Sequence, residues 1–115
     1  MMPGRRPGST PTKGSDVPLE WADVMTRYAG GTKIPTVAGG KTLEITGVDE
    51  AGVHIRHSLW RDTLAREHLE KAAGLIESDG MSRHAGLFVE EYRAMVADVR
   101  ATSAAHVLKD LGFLE

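Results

Sequence analysis

His54, Arg56, Ser58, Trp60, Arg61 and Arg66 crowd into one stretch, VHIRHSLWRDTLAREHLEK (53–71). Cations neutralise phosphates, a ring stacks on a base and a hydroxyl donates to either, so this mixture suits a nucleic-acid surface. Alternation decides which of them share a face. Successive side chains of a strand point opposite ways, so His54, Arg56, Ser58 and Trp60 project together, with Arg61 and Arg66 just beyond. Val53, Ile55 and Leu59 take the other face. His57 falls in with them, where a buried imidazole needs a hydrogen-bond partner. Glu44 is expected beside Arg56, where it neutralises part of the patch, and Trp60 has a competing place beneath the following helix.

Other chemistries find less support. AGGKT (38–42) has the look of a phosphate loop, but that motif needs glycine where Pro35 stands and a helix directly after the threonine. Here the chain runs into TLEITGV, a strand pattern, so the glycines lead into a hairpin. The five histidines invite a metal reading. However, His54 and His57 point to opposite faces, His68 and His106 belong to different helices, and no His-Glu-x-x-His run occurs. No Gly-x-Ser-x-Gly elbow surrounds a serine. Glu67 and Glu70 share a helix face with Arg66 and Lys71 as neighbours, which reads as salt-bridged surface. No grouping meets the geometric needs of an acid, a base and a nucleophile, so the chain is expected to be non-catalytic, without cofactor or metal.

The elements that must carry these residues can be read from periodicity. PLEWADVMTRYAGG (18–31) predicts a short helix with Trp21, Met25 and Tyr28 as its apolar stripe and Gly30–Gly31 as its end. KTLEITGVDEAGVHIRHSLW (41–60) predicts a β-hairpin turning at DEAG, with Gly52 free to take positive φ. TKIPTVAGG adds a short edge strand around Ile34–Val37. DTLAREHLEKAAGLIESDG (62–80) predicts a helix with Leu69, Ala72 and Ile76 on one face and a stop at Asp79–Gly80. A further helix is expected over 87–100, with Phe88, Tyr92, Met95 and Val99 inward. After a break at RATS, a last helix follows, capped by Ser103 and ended by Gly112–Phe113. These two helices offer a helix-turn-helix alternative with Ser103, His106 and Lys109 outermost; the turn lacks the usual glycine, and two packed core helices are the commoner arrangement.

Composition bounds the rest. The chain has 115 residues, net charge −2 and no cysteine, so disulfides, thiolate zinc sites and thiol catalysis are excluded. Residues 1–61 hold eight Lys/Arg against six Asp/Glu, and residues 62–115 hold six against ten, a lean too slight to make a strongly basic binder. Residues 1–17, rich in Gly, Pro, Ser and Thr around Arg5, Arg6 and Lys13, predict a disordered arm. Residues 18–115 then form one domain. No apolar run approaches a membrane span, and the expectation is a soluble, cytoplasmic protein. The strand-turn-strand-helix portion resembles small accessory domains of bacterial proteins, a resemblance that carries no site residues.

The resulting expectation is an α+β domain: an N-terminal helix, a β-hairpin or small three-stranded antiparallel sheet, then two or three packed helices. Its expected role is that of a binding or regulatory module contacting nucleic acid through the outer hairpin face at His54, Arg56, Ser58, Trp60, Arg61 and Arg66. The alternative is a protein-interaction module or homodimer that pairs through the hairpin edge or the last helices.

Overall fold

The computed structural model describes residues 18–37, 39–57 and 59–115; the predicted arm at 1–17 and the site residue Ser58 lie outside them. The chain is α+β, as expected. Helix α1 (Trp21–Tyr28) leads into four strands, β1 (Thr32–Pro35), β2 (Thr42–Val48), β3 (Gly52–His57) and β4 (Trp60–Ala65). Helices α2 (Arg66–Glu77), α3 (Ala85–Met95) and α4 (Ala101–Asp110) follow. The strands form one antiparallel sheet in the order β1-β2-β3-β4, a meander whose neighbours in sequence are neighbours in space. The edge strand near Ile34 therefore exists, two residues earlier than expected. Pro35, which cannot donate to a ladder, is tolerated because β1 is an edge.

One face of the sheet is buried. Ile34, Leu43, Ile45, Val53, Ile55 and Leu64 join Val24, Tyr28, Leu69, Ile76, Phe88, Tyr92 and Leu108 in a single core fed by all four helices. The opposite face carries Lys33, Glu44, Arg56 and Arg61, aligned across the strands by the pairs Lys33–Glu44, Glu44–Arg56 and Arg56–Arg61. Between Ile45 and Gly47 the β2–β3 register slips by one residue. That bulge lets Val48 rejoin Val53 on the buried face after Ile45 has paired with Ile55. At Gly52 a methyl group would stand 2.1 Å from the Leu64 carbonyl oxygen, so only glycine lets β3 approach β4 there.

Helix α4 is the centre of the helical layer. It packs on α3, α2 and β1, and Ser103 to Leu108 are all buried. Its Ala101, Ala104 and Ala105 permit that close approach, because a methyl side chain keeps neighbouring elements near. α1 is fastened to its C-terminal end: the Tyr28 hydroxyl donates to Asp110 Oδ2 at 2.6 Å, and Arg27 Nε donates to the same oxygen at 2.9 Å.

Several expectations need correction. Residues 60–65 are a strand, where a helix was expected from 62. The helical spacing begins only at Leu69, whereas Trp60, Asp62 and Leu64 alternate with Arg61 and Thr63, and pairing with β3 decides the matter. The α1 stripe is Trp21, Val24 and Tyr28, with Met25 half-buried. α3 ends at Met95, so Met95 and Val99 are exposed. Ser103 does not cap α4; it sits in the first turn, and the N-cap position is Arg100, in the left-handed region with φ 53°.

Candidate functional site

Of the six residues expected to form the binding surface, the five that the structure describes are divided. Arg56 keeps its place on the open face, but Glu44 holds it from both oxygens, with Nη2 at 2.9 Å from each. His54 is clasped between Asp49 and Thr63, with Nε2 2.7 Å from Asp49 Oδ2 and Nδ1 2.8 Å from Thr63 Oγ1. Asp49 also accepts from the Ala51 and Gly52 N–H groups, so the trio ties the β2–β3 turn to β4. The His54 hydrogen bond, then that from Ala51, holds the Asp49 carboxyl below its ordinary range. Acid, imidazole and hydroxyl here have the connectivity of a triad, but the group lies exposed on the sheet, and its bonds serve the turn.

Arg66 leaves the patch altogether. At the start of α2 it pairs with Glu50 and with Glu70, and its guanidinium carbon stands 5.4 Å from the centroid of the Trp21 ring. Trp60 does not project with Arg56. β3 ends at His57 and β4 begins at Trp60, so the reversal puts Trp60 on the helix-facing side, paired across the hairpin with His57. The two rings stack with centroids 5.4 Å apart. Leu59, expected in the core, is 90% exposed at the hairpin end. His57 does share the face of Val53 and Ile55, yet it is exposed: two residues past Ile55 carries it about 7 Å further along the strand, beyond the cover of the helices.

Arg61 remains. Of the described arginines, Arg27, Arg56, Arg66, Arg83, Arg93 and Arg100 all have carboxylate partners, and Arg61 has none. It shares a shallow concavity with Lys33, Arg56, Leu59, His57 and Trp60 at the hairpin end of the sheet. Lys33 and Lys41 are likewise without an ion pair among the described residues.

Around the corner of the hairpin lies a second cleft, between the end of the sheet and the N-terminus of α4. It measures about 610 Å³ and is lined by Lys41, Trp60, Arg93, Arg100, Ser103 and His106, among others. Arg100 arches over the Trp60 ring at 3.8 Å and donates from Nε to Asp62 Oδ2 at 2.8 Å. That hydrogen bond, with a second from the Thr63 N–H, holds the Asp62 carboxyl below its ordinary range. His106 accepts the Val37 N–H at Nδ1, 3.0 Å away, and burial pushes its pKa below the usual 6.5.

The helix-turn-helix arrangement is overturned by the same geometry, because Ser103 and His106 are buried rather than outermost. Sequence reasoning puts both on the outer side of that alternative and passes over Asp62 and Arg100. The available signal was the i, i+3 spacing of two polar groups in an otherwise small and apolar helix face, SAAHVL. No group of three or more His, Asp or Glu suited to a metal exists among the described residues, and none of their helices is long and apolar enough to cross a membrane. Comparison with protein-family models, with curated proteins and with solved structures finds no match to this chain. Its chemistry is therefore argued from its own geometry.

Proposed function

We propose that the domain is a non-catalytic binding module that meets a single strand of nucleic acid at the hairpin end of its open sheet. The observation that carries this reading is Arg61: it alone among the described arginines has no carboxylate partner, and it stands in the concavity that Lys33 and the His57–Trp60 pair also line. An unpaired guanidinium and a lysine supply phosphate contacts without first breaking an ion pair. The neighbouring ring pair supplies an edge against which a base can lie. The interface is thus smaller than the six residues first considered, since His54, Arg56 and Arg66 are already engaged.

Fluorescence anisotropy with a labelled single-stranded oligonucleotide tests it. Binding is expected at low salt, with a log–log salt slope of about −2 for two or three phosphate contacts. Arg61→Ala and Lys33→Ala should each weaken it several-fold, whereas Arg66→Ala should change it little. Absence of binding at low salt overturns the reading. A dimer by light scattering would then favour self-association, for which β1 and β4 offer edges.

A further inference from the structure

The cleft beside α4 holds donors that the fold itself leaves unused. Ser103 is 8% exposed and lines the cleft, and its hydroxyl has no hydrogen-bond partner among the described residues. Buried hydroxyls ordinarily find one. A helical serine often turns back to the carbonyl four residues earlier, but for Ser103 that residue is Val99, which precedes α4. His106, one turn on, is equally buried. Because its Nδ1 accepts from Val37, the proton of the neutral ring sits on Nε2. That N–H also meets no acceptor among the described residues.

The start of α4 adds more donors. No side chain caps it, and Arg100 at the N-cap offers only positive charge, so the N–H groups of Ala101, Thr102 and Ser103 have no acceptor among the described residues. Lys41, Arg93 and Arg100 surround the opening, while the one carboxylate of the lining, Asp98, is exposed. A backbone strained into the left-handed region at a non-glycine residue, held by Asp62 and Trp60, keeps Arg100 at this spot.

We propose that this cleft is an oxyanion site for a phosphate group, with the Ser103 hydroxyl and the His106 Nε2–H as inner donors. The α4 N-terminus lies beside them and Arg100 and Lys41 supply charge at the mouth. Phosphate fits better than carboxylate because a helix end, a hydroxyl, an imidazole and a guanidinium line the one cleft, and a tetrahedral anion has acceptor oxygens for each. The site adjoins the strand-binding surface, with His57 and Trp60 lining both, but its donors are different, since neither Arg61 nor Lys33 lines it. The phosphate can be free or the terminal group of a small monoester; the binding chemistry is the same.

Calorimetric titration of the full chain with inorganic phosphate and with ribose 5-phosphate tests the site. Both should bind saturably. A tighter monoester identifies an esterified ligand, and equal affinities identify free phosphate. Ser103→Ala should weaken binding about tenfold, as expected for losing one hydrogen bond to a charged group. The same variant should melt at a higher temperature than the parent when no ligand is present, because it removes a buried hydroxyl that has no partner. His106→Asn, which retains an acceptor near Val37 but lacks the Nε2–H, should also weaken binding, and Arg61→Ala should not. No saturable binding of either probe up to about 10 mM, where a dissociation constant of about 1 mM would still register, overturns the proposal. So does unchanged binding in both the Ser103 and His106 variants.

Discussion

The guanidinium of Arg100 sits over Trp60 with its central carbon 3.8 Å from the ring centroid, while Nε donates to Asp62 at 2.8 Å. One side chain thus joins the start of α4 to β4, at the expense of a left-handed backbone at Arg100. The contact with the ring is worth about 0.5–2 kcal/mol, and the half-exposed ion pair adds at most about 1 kcal/mol. Arg100→Ala should therefore destabilise the domain by about 1–2 kcal/mol, since it loses both contacts and keeps the strain. Arg100→Gly should cost less, because glycine takes this conformation freely. Denaturant midpoints give the comparison, and the emission of Trp60 should change in both variants. If alanine were tolerated better than glycine, backbone strain at this position would be the wrong account.

Asp110 is the corresponding fastening for α1. Burial works against its charge, but hydrogen bonds from Arg27 and Tyr28 outweigh it and hold the carboxyl below the usual 3.8. Burial and the hydrogen bond to Asp110 raise the Tyr28 phenol well above its ordinary value, so it remains a donor throughout. A carboxylate whose folded pKa is depressed contributes stability that is complete above the unfolded value and is lost as pH falls through the lower, folded one. Stability should thus decline below about pH 4, and Asp110→Asn should remove part of that decline. At neutral pH, Asp110→Ala should cost about 2–3 kcal/mol, because it strands the buried Tyr28 hydroxyl. Asparagine, which still accepts from that hydroxyl, should cost less. Urea unfolding at pH 7 and pH 3 measures both.

Leu59 shows where the sequence could be read and where it could not. The two faces of β2 and β3 follow from alternation alone: Leu43, Ile45, Val53 and Ile55 are inward, and Glu44 meets Arg56 as expected. Past His57 the same rule fails, because a chain reversal resets the alternation and HSLW contains no glycine or proline to announce it. Continued past that point, alternation predicts Leu59 in the core and Trp60 on the open face, and it runs β4 into the next helix. The candidate surface suffered from a further cause. Sequence displays the cations but not all their partners: Glu70 meets Arg66 one helical turn on, a legible spacing, whereas Glu50 and Asp49 reach Arg66 and His54 only through the folded turn between β2 and β3. Leu59→Ser should accordingly change stability by less than about 0.5 kcal/mol, the usual range for an exposed position. A loss of 2 kcal/mol or more, typical of a core leucine, would restore the original placement.

His106 gives the domain a pH dependence of opposite origin to a surface histidine. Burial disfavours the imidazolium, and protonating Nδ1 would also forfeit the bond from the Val37 N–H, so the folded pKa lies below 6.5. In the unfolded chain the ring takes up its proton near that ordinary value. Between the folded and unfolded values the unfolded state binds more protons, so stability is complete above 6.5 and declines as pH falls through the folded value. Thermal midpoints between about pH 5 and 8 should fall towards the acid end, over the range in which histidines titrate. His106→Asn should flatten that part of the profile while leaving the carboxylate-driven loss at lower pH in place. An unchanged slope in the variant would assign the acid sensitivity to the other histidines and leave His106 as neutral packing.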